Sequence, residues 1–275
     1  MKITAAEVNQ LRKQTGAGMM DCKNALQEAE GNIETAIEFL RKKGQKVAAK
    51  RSDRDAAEGV VIAKSTQDGS RGAIIVLNCE TDFVAKNDDF TMVANTILEL
   101  AIESNAADLD ALKGMKYPGS ELSISDKLTE EIGRIGEKLD LSAYETLSAG
   151  KVISYNHPGN KLASIVAFNK VVGDDMGRDV AMQVAAMAPV AVSPESISPE
   201  LVAKEKEIAR ELAIQEGKPA EMADKIAIGR INKWYKEAAL LEQPFIKDNK
   251  MSIKQYLTNA EDGLTVTEFR RIALA

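Results

Sequence analysis

The chain is 275 residues long, 44% hydrophobic and 28% charged, which suits one large soluble domain or two to three small ones. A net charge of −6 argues against general affinity for nucleic acid, and no run reaches the roughly 18 apolar residues of a membrane span. Met1-Lys2-Ile3-Thr4 opens no apolar leader, and Cys22 and Cys79 lack paired spacing, so the expected setting is the reducing cytoplasm.

Residues 1–44 read as three short helices. Thr4 and Glu7 have the spacing of a capping box, with Ile3, Val8 and Leu11 marking one face. Gly16-Ala17-Gly18 interrupts the chain, and Asp21 is placed to cap a second helix bearing Cys22, Ala25, Leu26 and Ala29. After Gly31-Asn32, the residues Ile33, Ala36, Ile37 and Leu40 recur at helical spacing until Gly44. A bundle this small is marginal alone and is expected to lean on a partner. Between Arg41 and Arg54 seven basic residues face one acid, Asp53. With no aromatic interleaved for base stacking, this reads as a solvated helix end entering a linker at about 45–55 rather than an RNA-binding stretch.

Two hairpins follow. Gly59 to Lys64 and Ala73 to Asn78 are strand-like and flank the turn Gln67-Asp68-Gly69-Ser70. Helical segments at about 88–105 and 125–139 precede a strand near Tyr144 to Leu147. The theme repeats with Lys151 to Tyr155 and Leu162 to Phe168 around Asn156-His157-Pro158-Gly159-Asn160, then a helix from about Asp175 to Met187. Ser193-Pro194 and Ser198-Pro199 open a charged helix with Leu201, Ile208 and Leu212 inward. Gly217-Lys218-Pro219 turns the chain into a second helix carrying Met222, Ile226, Ile231 and Trp234. The end holds a short helix near 251–259 and an edge strand, Leu264 to Phe269. The expected class is α+β: a three-helix N-terminal domain with its basic linker (1–54), a two-lobed core with small antiparallel sheets (55–148, then 149–192 with 242–275), and a projecting antiparallel helical hairpin (193–241).

Catalytic machinery is scarce. A single histidine, His157, makes the usual zinc sites improbable, and neither a P-loop nor a Gly-x-Ser-x-Gly elbow occurs. Cys22 falls at helical spacing as a small core residue. Asp88-Asp89 and Asp174-Asp175 sit where helices begin and read as capping residues. The expectation is a binding protein with no cofactor, no metal and no nucleotide site of its own. Three places read as contact surface. Gly16 to Met20 sets two flexible methionines beside glycines, with core packing as the alternative. Thr81-Asp82-Phe83-Val84 places an aromatic at a strand-to-helix junction, where it can either cap the core or face a partner. His157 tips a hairpin, where residue type alone favours a solvated turn residue over a contact.

These places carry a family resemblance. Leu11-Arg12 through Thr15-Gly16-Ala17-Gly18-Met19-Met20-Asp21-Cys22-Lys23, and Asn78-Cys79-Glu80-Thr81-Asp82-Phe83-Val84-Ala85-Lys86, are similar to the two signatures of the elongation factor Ts family. Ser154-Tyr155-Asn156-His157, Gly217-Lys218-Pro219 and Gln243-Pro244-Phe245 also correspond. The resemblance implies a ubiquitin-associated-like N-terminal fold and exchange of GDP for GTP on elongation factor Tu, in its GDP-bound and nucleotide-free states. It further implies that Arg12, Met19 and Met20 grip the G domain. Asp82 and Phe83, with Thr81 and Val84, would wedge beside the nucleotide and its Mg²⁺, while His157 touches another part. A homodimer through the helical hairpin stays open. The family's C-terminal helical module is expected to be missing or reduced, since the chain ends at Ala275 soon after Phe269-Arg270-Arg271. A ubiquitin-binding adaptor, or a phosphohydrolase using Asp82, Asp88 and Asp89, are the competing classes.

Overall fold

The computed structural model describes residues 3–274. The first three helices are α1 (Ala5–Thr15), α2 (Met19–Glu28) and α3 (Ile33–Lys50). The Thr4 amide donates to the Glu7 carboxylate at 2.7 Å and the Glu7 amide returns to the Thr4 hydroxyl at 3.3 Å, which closes the capping box. Val8, Leu11, Cys22, Ala25, Leu26, Ala29 and Ala36 form the small core between them. Two local expectations change. Helix α2 starts at Met19 with Gly18 as its cap, so Asp21 lies in the first turn and pairs with Lys43 of α3. Helix α3 does not stop at Gly44 but continues to Lys50, so most of the basic run is helical. The glycine is needed for packing instead. A Cβ at Gly133, on a helix of the core, would lie 2.7 Å from the Gly44 Cα, so the two backbones cross with no room for side chains.

The first lobe comprises β1 (Glu58–Ser65), β2 (Arg71–Cys79), α4 (Asp82–Ala85), α5 (Asp88–Ser104), α6 (Leu109–Gly114), α7 (Ile124–Ile135) and β3 (Asp140–Ser148). The strands form an antiparallel sheet in the order β1-β2-β3. Phe90, Ala94, Ile97, Leu98 and Ala101 recur at three- and four-residue spacing along α5 and pack on Ile62, Ile75 and Leu77 of the sheet. Helices α4 and α6 are too short to leave a periodic signal, and neither is legible in the chain.

The second lobe repeats the plan with β4 (Lys151–Asn156), β5 (Leu162–Phe168) and α8 (Asp174–Met187), closed much later by β8 (Val266–Ala273) in the order β4-β5-β8. The two sheets stack face to face over Val61, Ala63, Ile74 and Val76 from one and Val152, Ala163, Ile165 and Ala167 from the other. Strands β1 and β2 are therefore covered on both sides, which is why they read as unbroken apolar runs rather than alternating ones. Hydrogen bonds also cross between lobes: the Asn156 side chain receives the Ala63 amide at 2.7 Å and donates to its carbonyl at 2.8 Å.

Between α8 and β8 the chain makes α9 (Pro199–Gln215) and α10 (Ala220–Ala238), then β6 (Pro244–Phe245), β7 (Asp248–Ser252) and α11 (Ile253–Ala260). The α9–α10 seam differs from the expected one. Ala209, Ala213, Ala223, Ala227 and Ile231 are buried, while Ile208, Leu212 and Met222 are exposed. Alanines four residues apart let two helices approach closely, and that stripe faces inward although its members are the less hydrophobic ones. Arg230 to Glu216 (2.6 and 2.8 Å) and Arg210 to Asp224 (2.9 Å) join the helices at their rim.

Candidate partner-binding site

Phe83 is 83% exposed. It sits on α4, one helical turn inserted between the end of β2 and the start of α5. Thr81 caps this turn, its hydroxyl oxygen accepting the Val84 amide at 3.4 Å. The capping residue is held by the segment that enters β3, the strand beside β2: its amide donates to Glu137 Oε2 at 3.0 Å and its hydroxyl to Glu137 Oε1 at 2.7 Å. Ala85 is buried and Val84 packs on the first-lobe core, so the turn is anchored by its small residues while its large one faces outward. Asp82 pairs with Lys86 at 2.7 Å; that hydrogen bond, aided by the charge of Lys161, holds its carboxyl below the usual range. On the neighbouring strand end, burial and then the charge of Glu137 push the Cys79 thiol up to about 12, and burial likewise raises Cys22. Neither thiol is poised as a nucleophile.

The N-terminal helices are tied to this turn through Arg134, which closes α7. Its guanidinium donates to Glu131 at 2.6 Å and to Asp89 of α5 at 2.9 Å. Its Cδ would lie 2.9 Å from a Cβ built at Gly16, the left-handed residue (φ 67°) that turns α1 toward α2. One side chain thus spans the Gly16 turn and the helix following Phe83. Beyond that turn Met19 and Met20 are exposed in the first turn of α2, at 56% and 62%, and Arg12 is exposed on α1. Met92 is exposed one turn beyond Asp89 on α5. A second clamp lies beside the first. Arg51 Nη1 donates to both oxygens of Glu80 at 2.7 and 2.8 Å, Glu80 also accepts the Lys138 amide at 2.6 Å, and Lys138 Nζ donates to the carbonyls of Ser52 and Arg54.

His157 is exposed at the tip of the β4–β5 hairpin, its Nδ1 3.0 Å from the Tyr155 hydroxyl. Four residues on, Lys161 pairs with Glu58 at the start of β1, and its charge reaches Asp82. Lys161 thereby ties the second-lobe hairpin to the first strand of the first lobe. Asp88 and Asp89 follow the cap residue Asn87 rather than capping themselves, and Asp174 pairs with Lys151. Among the described residues no group of acidic, histidine or cysteine side chains is placed to hold a metal ion. No helix among them is long and apolar enough to cross a membrane.

Arg134, Glu137 and Lys161 are the residues that sequence reading missed. Each acts across a long separation in the chain, which leaves no local pattern. Met92 had a signal, since it falls off the buried stripe of α5.

A family model described as Elongation factor TS matches residues 80–275. Proteins named Elongation factor Ts are similar along the whole chain. One from Amoebophilus asiaticus is 50% identical over 275 residues, and one from Christiangramia forsetii is 51% identical over 275, each match covering 99% of both chains. One from Porphyromonas gingivalis is 48% identical over 274 residues, covering 100% of this chain and 99% of its own.

Proposed function

The chain belongs to the elongation factor Ts family, and from that premise we propose that it acts as a guanine-nucleotide exchange factor for elongation factor Tu, with Phe83 as the group that disturbs the nucleotide site. The observation that carries this reading is the contrast at α4: an aromatic with 83% of its surface in water stands on a turn whose capping residue is fixed by two hydrogen bonds to Glu137. An exposed ring on a held turn is built to bury against something else.

Exchange needs no covalent chemistry. The factor must bind the nucleotide-free partner more tightly than the GDP-bound one, and by reciprocity GDP weakens its binding by the same factor. A thousandfold acceleration takes about 4 kcal/mol off the release barrier. Burying one Phe contributes about 1.5–3 kcal/mol, so Phe83 does not suffice alone. Arg12, Met19 and Met20 grip the G domain from the N-terminal side, Thr81, Asp82 and Val84 frame the wedge beside the Mg²⁺ environment, and His157 supplies a contact from the second lobe. The factor itself holds no nucleotide and works in the cytoplasm. The apolar side chains left exposed on α9 and α10 favour pairing of two copies; sedimentation velocity showing only monomer at micromolar concentration would exclude that.

Stopped-flow release of a fluorescent GDP analogue from elongation factor Tu tests the main reading. The protein accelerates release, and Phe83→Ala loses most of the acceleration while its circular dichroism is unchanged. A folded Phe83→Ala variant that accelerates release as well as the parent would remove the wedge reading.

A further inference from the structure

With so little of Phe83 covered, packing of its own ring cannot aim it; its direction is inherited from the backbone of α4. That helix is four residues long, far below the length at which a helix holds itself. Beyond backbone bonds of 3.0–3.2 Å, its own side-chain supports are weak. The Asp82–Lys86 pair is exposed, and such pairs contribute little. The cap bond from the Val84 amide is long at 3.4 Å. The strong contacts come from outside the turn. Glu137, in the segment between α7 and β3, receives the amide and the hydroxyl of Thr81 on its two oxygens, at 3.0 and 2.7 Å. Both are bonds to a carboxylate, stronger than neutral ones. They also orient the Thr81 hydroxyl: its proton goes to Glu137, which leaves a lone pair for the Val84 amide.

The segment carrying Glu137 is itself held. The next residue, Lys138, donates its amide to Glu80 at 2.6 Å, so Glu80-Thr81 and Glu137-Lys138 are cross-linked in both directions. A cross-linked frame therefore stands behind one short turn. Resting on the exchange reading, we propose that Glu137 is the positioning residue for Phe83, fixing the capping residue of α4 so that the ring is presented before the partner arrives. Ordering done in the free protein need not be done during binding. Because the ring is buried only as the nucleotide site is disturbed, the benefit falls on the exchange step more than on the first docking.

The test measures GDP-analogue release from elongation factor Tu against concentration of this protein, separating the maximal rate from the half-saturating concentration. Glu137→Ala lowers the maximal rate about tenfold, with a smaller change in half-saturation, and Glu137→Gln, which keeps one acceptor, lowers it about threefold. In a Phe83→Ala background, Glu137→Ala costs less than about a further twofold, because there is no ring left to aim. Equal slowing in both backgrounds, or an effect confined to half-saturation, overturns the proposal. Should Glu137→Ala fail to fold, Thr81→Val keeps the amide bond to Glu137, removes the hydroxyl arm together with the cap bond from Val84, and must show the same dependence on Phe83. If Phe83→Ala exchanges as fast as the parent, the wedge reading falls and the positioning role with it. If Phe83→Ala is slow while Glu137→Ala is not, the positioning role alone falls.

Discussion

The two lobes share a plan of hairpin, helix and returning strand, and they differ at the junction between second strand and helix. Each has an antiparallel hairpin, then a helix on its outer face, then a third strand that returns to pair with the second. In both, the junction between second strand and helix carries the most exposed large apolar residue of the lobe, Phe83 at 83% and Val171 at 75%. In both, the residues just before the third strand hold that junction: Glu137 holds Thr81 in the first lobe, while Thr265 exchanges bonds of 2.9 and 3.1 Å with Asn169 in the second. The first junction is a helical turn bearing an aromatic and an acid; the second is a loop bearing a short β-branched residue. A shared scaffold thus offers two equivalent positions, and residue type with local backbone makes one of them a wedge. The first position also has a neighbour that the second lacks, since Arg134 brings the Gly16–Met20 turn alongside it.

The comparison is broken most directly by exchanging what is unequal. Phe83→Ala is expected to slow GDP release about 10- to 100-fold, following the area lost, with an unchanged melting temperature. Equal sensitivity at Val171→Ala would erase the distinction between lobes; we expect that variant to stay within about twofold of the parent in the same assay, the range of an ordinary surface change. Next in size is the link to the N-terminal helices. Gly133→Leu forces a side chain into the Gly44 backbone and should cost about 1–3 kcal/mol, read as a lower urea midpoint, with faster proteolysis near residues 50–56 as α3 lifts from α7. Retained protease resistance would mean that the crossing relaxes without separation.

Alkaline pH compares the lobes through different groups. Cys79 in the first lobe and Tyr256 in the second are both pushed up to about 12, chiefly by burial, Tyr256 being raised further by the charge of Asp179. A raised folded value means that the unfolded chain loses its proton first. The stabilisation is complete below the ordinary values of 9.0 and 10.0 and is lost as pH rises toward 12. Urea midpoints should therefore fall between pH 8 and pH 11. Cys79→Ala flattens the first-lobe part of that fall and Tyr256→Phe the second. The smallest expected effect is at the second latch: Asn169→Ala loses about 1 kcal/mol of stability and leaves exchange unchanged. Slower exchange in that variant would show that the second junction also meets the partner.

Much of the architecture was legible because it rests on short-range rules. The capping box at Thr4, the Asp-Gly turn, both hairpins, the stripe of α5 and the helical hairpin each leave a periodic or turn signal within about twenty residues. The exposed Met19-Met20 and Phe83 stood out as large apolar residues beside turn glycines or acids, where burial is not the only outcome. What stayed illegible depends on which surfaces meet. Gly44 reads as a helix stop until Gly133 is laid against it. The α9–α10 seam reads as leucine and isoleucine until two backbones come close enough to select alanine. Glu137 and Arg134 read as ordinary charges of a loop and a helix end. Local patterns determine elements, because hydrogen bonding and amphipathicity act over one or two turns of chain. Only tertiary structure decides which side chain steadies a turn 56 residues away, because that contact exists only once the two segments are packed together.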